Sequence, residues 1–273
     1  MGVLNKKSWL LYGLCFGLIA CQDKEVGINV VNVKPFDLTT CTAALDDGAY
    51  LVSGTVDLAL RDNYLINPLV RNNLSNVNDI KGLGMEDARV STNSVVIQSA
   101  EITYAPLDSL VGNIPRVRTI PLSGTVTESD TAILFNFPLI ESEVMEALRS
   151  SDTFFLIDDQ GNARPKRTSV TILTSTRIKG TTLDGRTVES EPFQFPVEVC
   201  NGCMVSYPSA LLEDRNGRLI CPAQDVADED AADSDESCDF LVGMDGVSTN
   251  CSDCQGYAVN TFARQLCQPT ALP

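Results

Sequence analysis

Apolar and polar side chains alternate one for one in run after run between residues 49 and 199. That period commits most of the chain to β-strands, because successive strand residues face opposite sides of a sheet. In residues 49–61, Val56, Leu58 and Leu60 alternate with Asp57, Ala59 and Arg61. Residues 131–139 place Ile133, Phe135, Phe137 and Leu139 on one face. Residues 169–179 set Val170, Ile172 and Ile178 against Thr171, Ser175, Arg177 and Lys179. Residues 192–199 alternate Phe193, Phe195, Val197 and Val199 with Gln194, Pro196 and Glu198. Residues 64–72, 94–104 and 117–127 are further strand-like runs. Asp158 to Asn162 and Leu183 to Arg186 carry hairpin-turn chemistry.

One segment breaks the period. Ile140, Val144 and Leu148 recur every four residues, with Glu141 and Glu143 at the start and Arg149 at the end. The spacing predicts a helix over 140–149 whose charges suit the macrodipole. Many short strands with Gly, Asn and Asp turns point to a mainly β fold. The expected architecture is an immunoglobulin-like antiparallel β-sandwich with one short helix and a disulfide-rich, loop-dominated C-terminal module. The polar stretch 73–93 is long for a connection and is a candidate contact loop; a plain surface excursion is the alternative.

The cysteines divide the chain. Cys41, Cys200, Cys203, Cys221, Cys238, Cys251, Cys254 and Cys267 form an even set of eight, seven of them after residue 199. In an oxidising compartment they read as up to four disulfides. Eight cysteines allow 105 pairings, so spacing leaves the connectivity open. Parity requires Cys41 to reach the C-terminal segment. The two Cys-x-x-Cys pairs, Cys200/Cys203 and Cys251/Cys254, leave two alternatives: a four-thiolate zinc site, or thioredoxin-like redox chemistry.

The oxidising compartment is read from the N-terminus. Lys6 and Lys7 precede an apolar run, Trp9 to Ala20, which ends at Cys21. This is the layout of a secretory signal, and it is too short for a spanning helix. Leu18-Ile19-Ala20-Cys21 resembles a bacterial lipobox, so Cys21 is the expected lipid acceptor. Gln22 follows it, and by the same resemblance points to the outer membrane. The expected organisation is a signal peptide over 1–20, a lipidated N-terminus and tether over 21–40, a sandwich over 41–199 and a Cys-rich module over 200–273.

Charge and composition narrow the function classes. The net charge is −16, and removing residues 1–20 takes away Lys6 and Lys7 but no acid, giving −18. Such a chain repels phosphate backbones, so no nucleic-acid partner is expected. The chain has no histidine, which rules out Ser-His-Asp and Cys-His mechanisms. Its one tryptophan, Trp9, lies in the signal. No catalytic residue, cofactor or metal site is assigned. Between Asp225 and Asp239, Asp228, Asp230, Asp233 and Asp235 are candidate Ca²⁺ ligands. The EF-hand order and its turn glycine are missing, so a solvated acidic loop is the competing reading.

The lipobox, the strand Tyr64 to Asn72, the strand and helix Phe135 to Leu148, and Phe193 to Cys203 together resemble uncharacterised Cys-rich lipoproteins of predatory, myxobacteria-like bacteria. Val199-Cys200-Asn201-Gly202-Cys203 and Cys221-Pro222-Ala223-Gln224-Asp225 are the most specific parts. The resemblance implies architecture and location but no activity. The expected function is non-catalytic: a binding or structural role at the outer membrane, with the membrane reached through the N-terminal lipid and a partner in the envelope. The alternatives are an envelope hydrolase using paired carboxylates and a Ca²⁺-dependent adhesion module.

Overall fold

The computed structural model of the protein describes residues 26–43, 48–74, 92–106, 114–157, 160, 163–207, 212–213, 219–221, 238–261 and 263–268. The protein is mainly β. The first sheet holds β1 (Ile28–Lys34), β3 (Tyr64–Asn72) and β6 (Thr131–Ile133) in that order, with β7 (Phe137–Ile140) also paired to β3. The second runs β2 (Gly54–Asp57), β12 (Phe193–Cys200), β10 (Ser169–Thr182), β4 (Val95–Pro106), β5 (Val117–Val126). A short strand, β11 (Thr187–Glu189), pairs with β10. All these pairings are antiparallel except β2 with β12.

Buried residues of both sheets join one hydrophobic cluster, including Ile28, Tyr64, Phe137, Ile102, Ile172 and Phe195. The alternation is realised most fully in β10. Val170, Ile172, Thr174, Thr176 and Ile178 are buried, while Ser169 and Arg177 are exposed. The turn after β10 closes as its sequence predicts. Gly185 sits at φ +89°, and the Thr182 N–H reaches the Arg186 carbonyl at 2.9 Å. A left-handed residue there suits glycine, which has no Cβ to clash.

Elsewhere the period misleads. Residues 131–139 are two strands, because Leu134 to Asn136 leave the ladder. Asn136 adopts φ +53° and donates its N–H to the Asn67 side chain at 3.1 Å. The kink turns Phe135 outward, 57% exposed, and buries Leu134. In 49–61 only Gly54–Asp57 is strand. The chain then turns, and every residue from Val56 to Leu60 is buried. Residues 28–34, expected within the tether, form β1 and pair along β3 from Ile28↔Asn72 to Lys34↔Asn67.

The expected helix is α1 (Ser142–Arg149), which buries Val144, Met145 and Leu148. Ile140 belongs to β7 instead. A second helix, α2 (Cys251–Tyr257), was not expected. It starts at Asn250, whose side-chain oxygen accepts the Ser252 and Asp253 N–H groups at 3.0 and 2.9 Å, a strong N-cap. The C-terminal segment also holds two-residue strands: β13 (Val205–Ser206) pairs with β16 (Thr249–Asn250), and β14 (Leu212–Glu213) with β15 (Leu219–Ile220). β8 (Phe155–Ile157) and β9 (Ala163–Pro165) pair antiparallel in a separate two-stranded sheet.

The C-terminal segment has a small core of its own making and borrowing. Leu266, Cys254, Cys267 and Met204 cluster with Ala59 and Leu60, which come from the turn after β2. Four disulfides staple the segment: Cys41–Cys238, Cys200–Cys203, Cys221–Cys251 and Cys254–Cys267. Cys41–Cys238 spans 197 residues of sequence, so it joins the start of the fold to its tail.

Candidate functional site

An apolar cleft of about 410 Å³ opens where β1 ends. Pro35 and Phe36 leave the strand, and Leu51 is held beside it by its N–H bond to the Val33 carbonyl at 2.8 Å. The opposite wall is Leu241, Met244 and Val247. Cys41–Cys238 ties the two walls, with its Cα atoms 5.5 Å apart. Behind them Phe36 and Phe240 meet edge to face at 5.5 Å between ring centres. Leu38 lines the cleft and is 56% exposed, and Tyr50 and Val52, flanking Leu51 in the chain, are also exposed. Exposed apolar groups around a concave apolar surface mark a place where another apolar surface can be covered.

Asp245 is the one charged residue among the described residues of the lining. It sits at φ +47°, which aims its carboxylate at Tyr64. The Tyr64 hydroxyl donates to both carboxylate oxygens, at 2.8 and 3.0 Å, and the Thr55 N–H donates at 2.9 Å. Burial pushes the Asp245 carboxyl above its ordinary value, and these two bonds pull it back only in part. Its charge is therefore engaged inward, and the cleft offers a ligand mainly aliphatic and aromatic contact.

A second cluster lies at the junction of β2 and β12. Asp57 is fully buried. Its carboxylate accepts the N–H groups of Ala59 at 2.9 Å, Gly202 at 2.7 Å and Met204 at 2.8 Å. Desolvation raises its pKa above the ordinary carboxylate value, against the pull of those three bonds and of Arg167. A carboxylate oxygen of Asp57 and the sulfurs of Cys200 and Cys203 all lie within 4.8 Å of one another.

Known proteins supply no identity for these sites. Comparison with protein-family models, with curated proteins and with solved structures found no match.

The residues singled out from sequence fall in different places. All eight cysteines from Cys41 to Cys267 sit in disulfides. The four thiols of a zinc site are therefore not brought together: Cys251 is bonded to Cys221 and Cys254 to Cys267. Cys21, most of the 73–93 loop and the calcium candidates Asp228, Asp230, Asp233 and Asp235 lie outside the described residues. Acids do gather at one open surface, lined by Asp62, Glu143 and Glu146 beside Arg149. There Glu143 pairs with Arg118 at 2.6 Å and Glu146 with Arg149 at 3.2 Å, and both acids are well exposed. Solvated, paired carboxylates are poorly suited to hydrolysis, which wants one carboxyl kept protonated in a drier cleft.

Sequence reading singled out the Cys200/Cys203 pair but missed the cleft and Asp57. The cleft has no local signature, since its walls lie about 200 residues apart. Asp57 did leave one: it is the only acid within the apolar run Val56 to Leu60. An acid so placed is either a turn residue or a buried one with partners.

Proposed function

We propose that the protein is a lipid-anchored component of the bacterial envelope, held at the outer membrane through Cys21, with a non-catalytic binding role. In this reading it presents an immunoglobulin-like pair of facing sheets, and the apolar cleft beside Phe36 receives an apolar segment of an envelope protein. The observation that carries the reading is the position of that cleft at the far end of β1. The strand begins at Ile28, seven positions after Cys21, and the cleft opens past Lys34. Seven strand residues span roughly 20 Å at about 3.3 Å each, so a body tethered at Cys21 holds the cleft away from the bilayer. Four disulfides add support, because such bonds persist in oxidising compartments. The lipobox and the likeness to Cys-rich lipoproteins point the same way.

The test has two arms. Membrane fractionation and intact mass compare the wild type with Cys21→Ser. The wild type is expected in the detergent phase with acyl mass, and the variant unprocessed or released. In the second arm a photo-crosslinking residue replaces Leu38, or Val117 as an exposed control on β5, in intact cells. A discrete adduct from position 38 and none from 117 supports the cleft. An unacylated, water-soluble wild type would end the anchoring reading, and equal labelling from both positions would end the binding one.

A further inference from the structure

We propose that the Cys200–Cys203 disulfide exchanges with thiols of a protein dithiol, with Cys203 as the sulfur attacked and Asp57 as the group that handles the Cys200 proton. This goes beyond anchoring and binding, and does not depend on either.

The two sulfurs are unequal. Cys200 is 1% exposed at the end of β12, whereas Cys203 is exposed. Thiol exchange requires the incoming thiolate to reach one sulfur while the other leaves. Access selects Cys203 for attack and Cys200 for departure.

The turn that carries them is held independently of the sulfur–sulfur bond. Two of the three N–H groups bonded to Asp57 belong to Gly202 and Met204, which flank Cys203. Cys200 is fixed on the other side, through its carbonyl to the Leu58 N–H at 2.8 Å and its register with Asp57 in the β2–β12 pair. Gly202 takes φ +78° and packs on Leu266, so the turn has a backbone shape of its own. Opening the disulfide therefore leaves the two thiols facing each other. A pair kept in place is ready to close again, which separates an exchanging disulfide from one whose loss lets the chain drift apart.

Asp57 has room for the proton. An ionised carboxylate offers about four acceptor positions, and three are taken by Ala59, Gly202 and Met204. One of its carboxylate oxygens lies within 4.8 Å of both sulfurs. The buried Cys200 thiol must lose its proton before it can attack, and the carboxylate is the acceptor beside it.

The exchange balances as follows. A thiolate of the dithiol attacks the Cys203 sulfur, the bond to Cys200 breaks, and the Cys200 sulfur takes a proton that reaches it from solvent through Asp57. The dithiol's second thiol, losing its proton to solvent, then displaces the Cys203 sulfur. The dithiol loses two electrons and becomes a disulfide, while the Cys200/Cys203 pair gains them. In the reverse direction the Cys200 thiol gives its proton to Asp57 and attacks the mixed disulfide at Cys203.

The experiment equilibrates the folded full-length chain in graded glutathione buffers, alkylates it and maps every cysteine by mass. Cys200 and Cys203 are expected to open while the other six stay paired. At limiting reductant the glutathione adduct should favour Cys203 over Cys200 by about tenfold. The rate of reclosure is then followed against pH. Asp57→Asn should slow it by about tenfold near neutrality and move its rise to higher pH, toward that of an ordinary thiol. Opening of Cys200–Cys203 only together with the other disulfides, or an adduct mainly on Cys200, would overturn the proposal. If Asp57→Asn does not fold, the wild-type mapping decides alone. An Asp57→Asn pH profile identical to wild type would remove Asp57 from the chemistry.

Discussion

The Tyr64 hydroxyl is bonded to the Asp245 carboxylate across 181 residues of sequence, and the tyrosine that makes this bond is completely buried. The bond ties the loop after residue 241 to the start of β3. Its space is held open by Gly54, where a Cβ would overlap the Tyr64 hydroxyl.

Two substitutions should therefore report on the same contact. Tyr64→Phe leaves the Asp245 carboxylate without its buried donor and should lower stability by about 1–3 kcal/mol. Gly54→Ala pushes the ring aside and should cost a similar amount, about 1–3 kcal/mol, by overpacking. Because both act on one bond, the double variant should lose clearly less than the sum of the singles. Urea denaturation of all three tests this, and strict additivity would count against a shared contact.

Asp245 also sets a pH dependence. Its folded-state pKa lies above the ordinary value of 3.8, so the folded protein holds this proton more tightly than the unfolded chain. The linked stability is fully present below about pH 4 and is lost as pH rises through the raised folded value. Asp245→Asn keeps an acceptor for Thr55 and Tyr64 but removes the charge. The wild type's stability relative to this variant should fall as pH rises from about 4, then level off. Denaturation of both proteins across pH 3–8 gives the difference directly. Exposed acids with lowered values, such as Asp130 and Asp184, cancel in that difference.

Arg149 clamps the turn that follows β2. Its side chain, 15% exposed, donates to the Leu58 carbonyl at 3.0 Å and to the Arg61 carbonyl. Arg149→Met keeps much of the stem and removes both donors. The expected loss is about 2–3 kcal/mol, larger than the ion pair with exposed Glu146 could supply. Glu146→Gln should change thermal stability by less than about 1 kcal/mol. A large effect at Glu146 would shift the weight from the clamp to the ion pair.

Cys41–Cys238 closes the longest loop among the disulfides. Its removal as Cys41→Ala/Cys238→Ala should lower stability by about 2–5 kcal/mol, mostly by freeing the unfolded chain. The denaturant slope should rise with it, since a chain without that loop exposes more surface. Thiol titration with peptide mapping of the unfolded, unreduced wild type should find none of the eight cysteines from Cys41 to Cys267 free.

The alternation in β10 and β12 was legible because burial period is a local property: Val170, Ile172 and Ile178 face inward as read. The helix at 142–149 was legible for the same reason. What failed was local pattern overruled by distant contact. Phe135 breaks its period because Asn67, on another strand, accepts the Asn136 N–H and bends the chain. Residues 28–34 carry no clean alternation, yet all but Val31 pair with β3.

The sequence by itself determined that the chain is mainly β and that the cysteines from Cys41 onward form an even set of eight, because side-chain period and residue counts need no partner. Only the tertiary structure decided which cysteines join, since pairing depends on which Cα atoms come within bonding reach. It also decided the place of Asp57. Alternation would turn that carboxylate outward; it is buried because two of its three N–H partners, Gly202 and Met204, arrive from 145 and 147 residues away. A buried charge needs such partners, and no window of local sequence contains them.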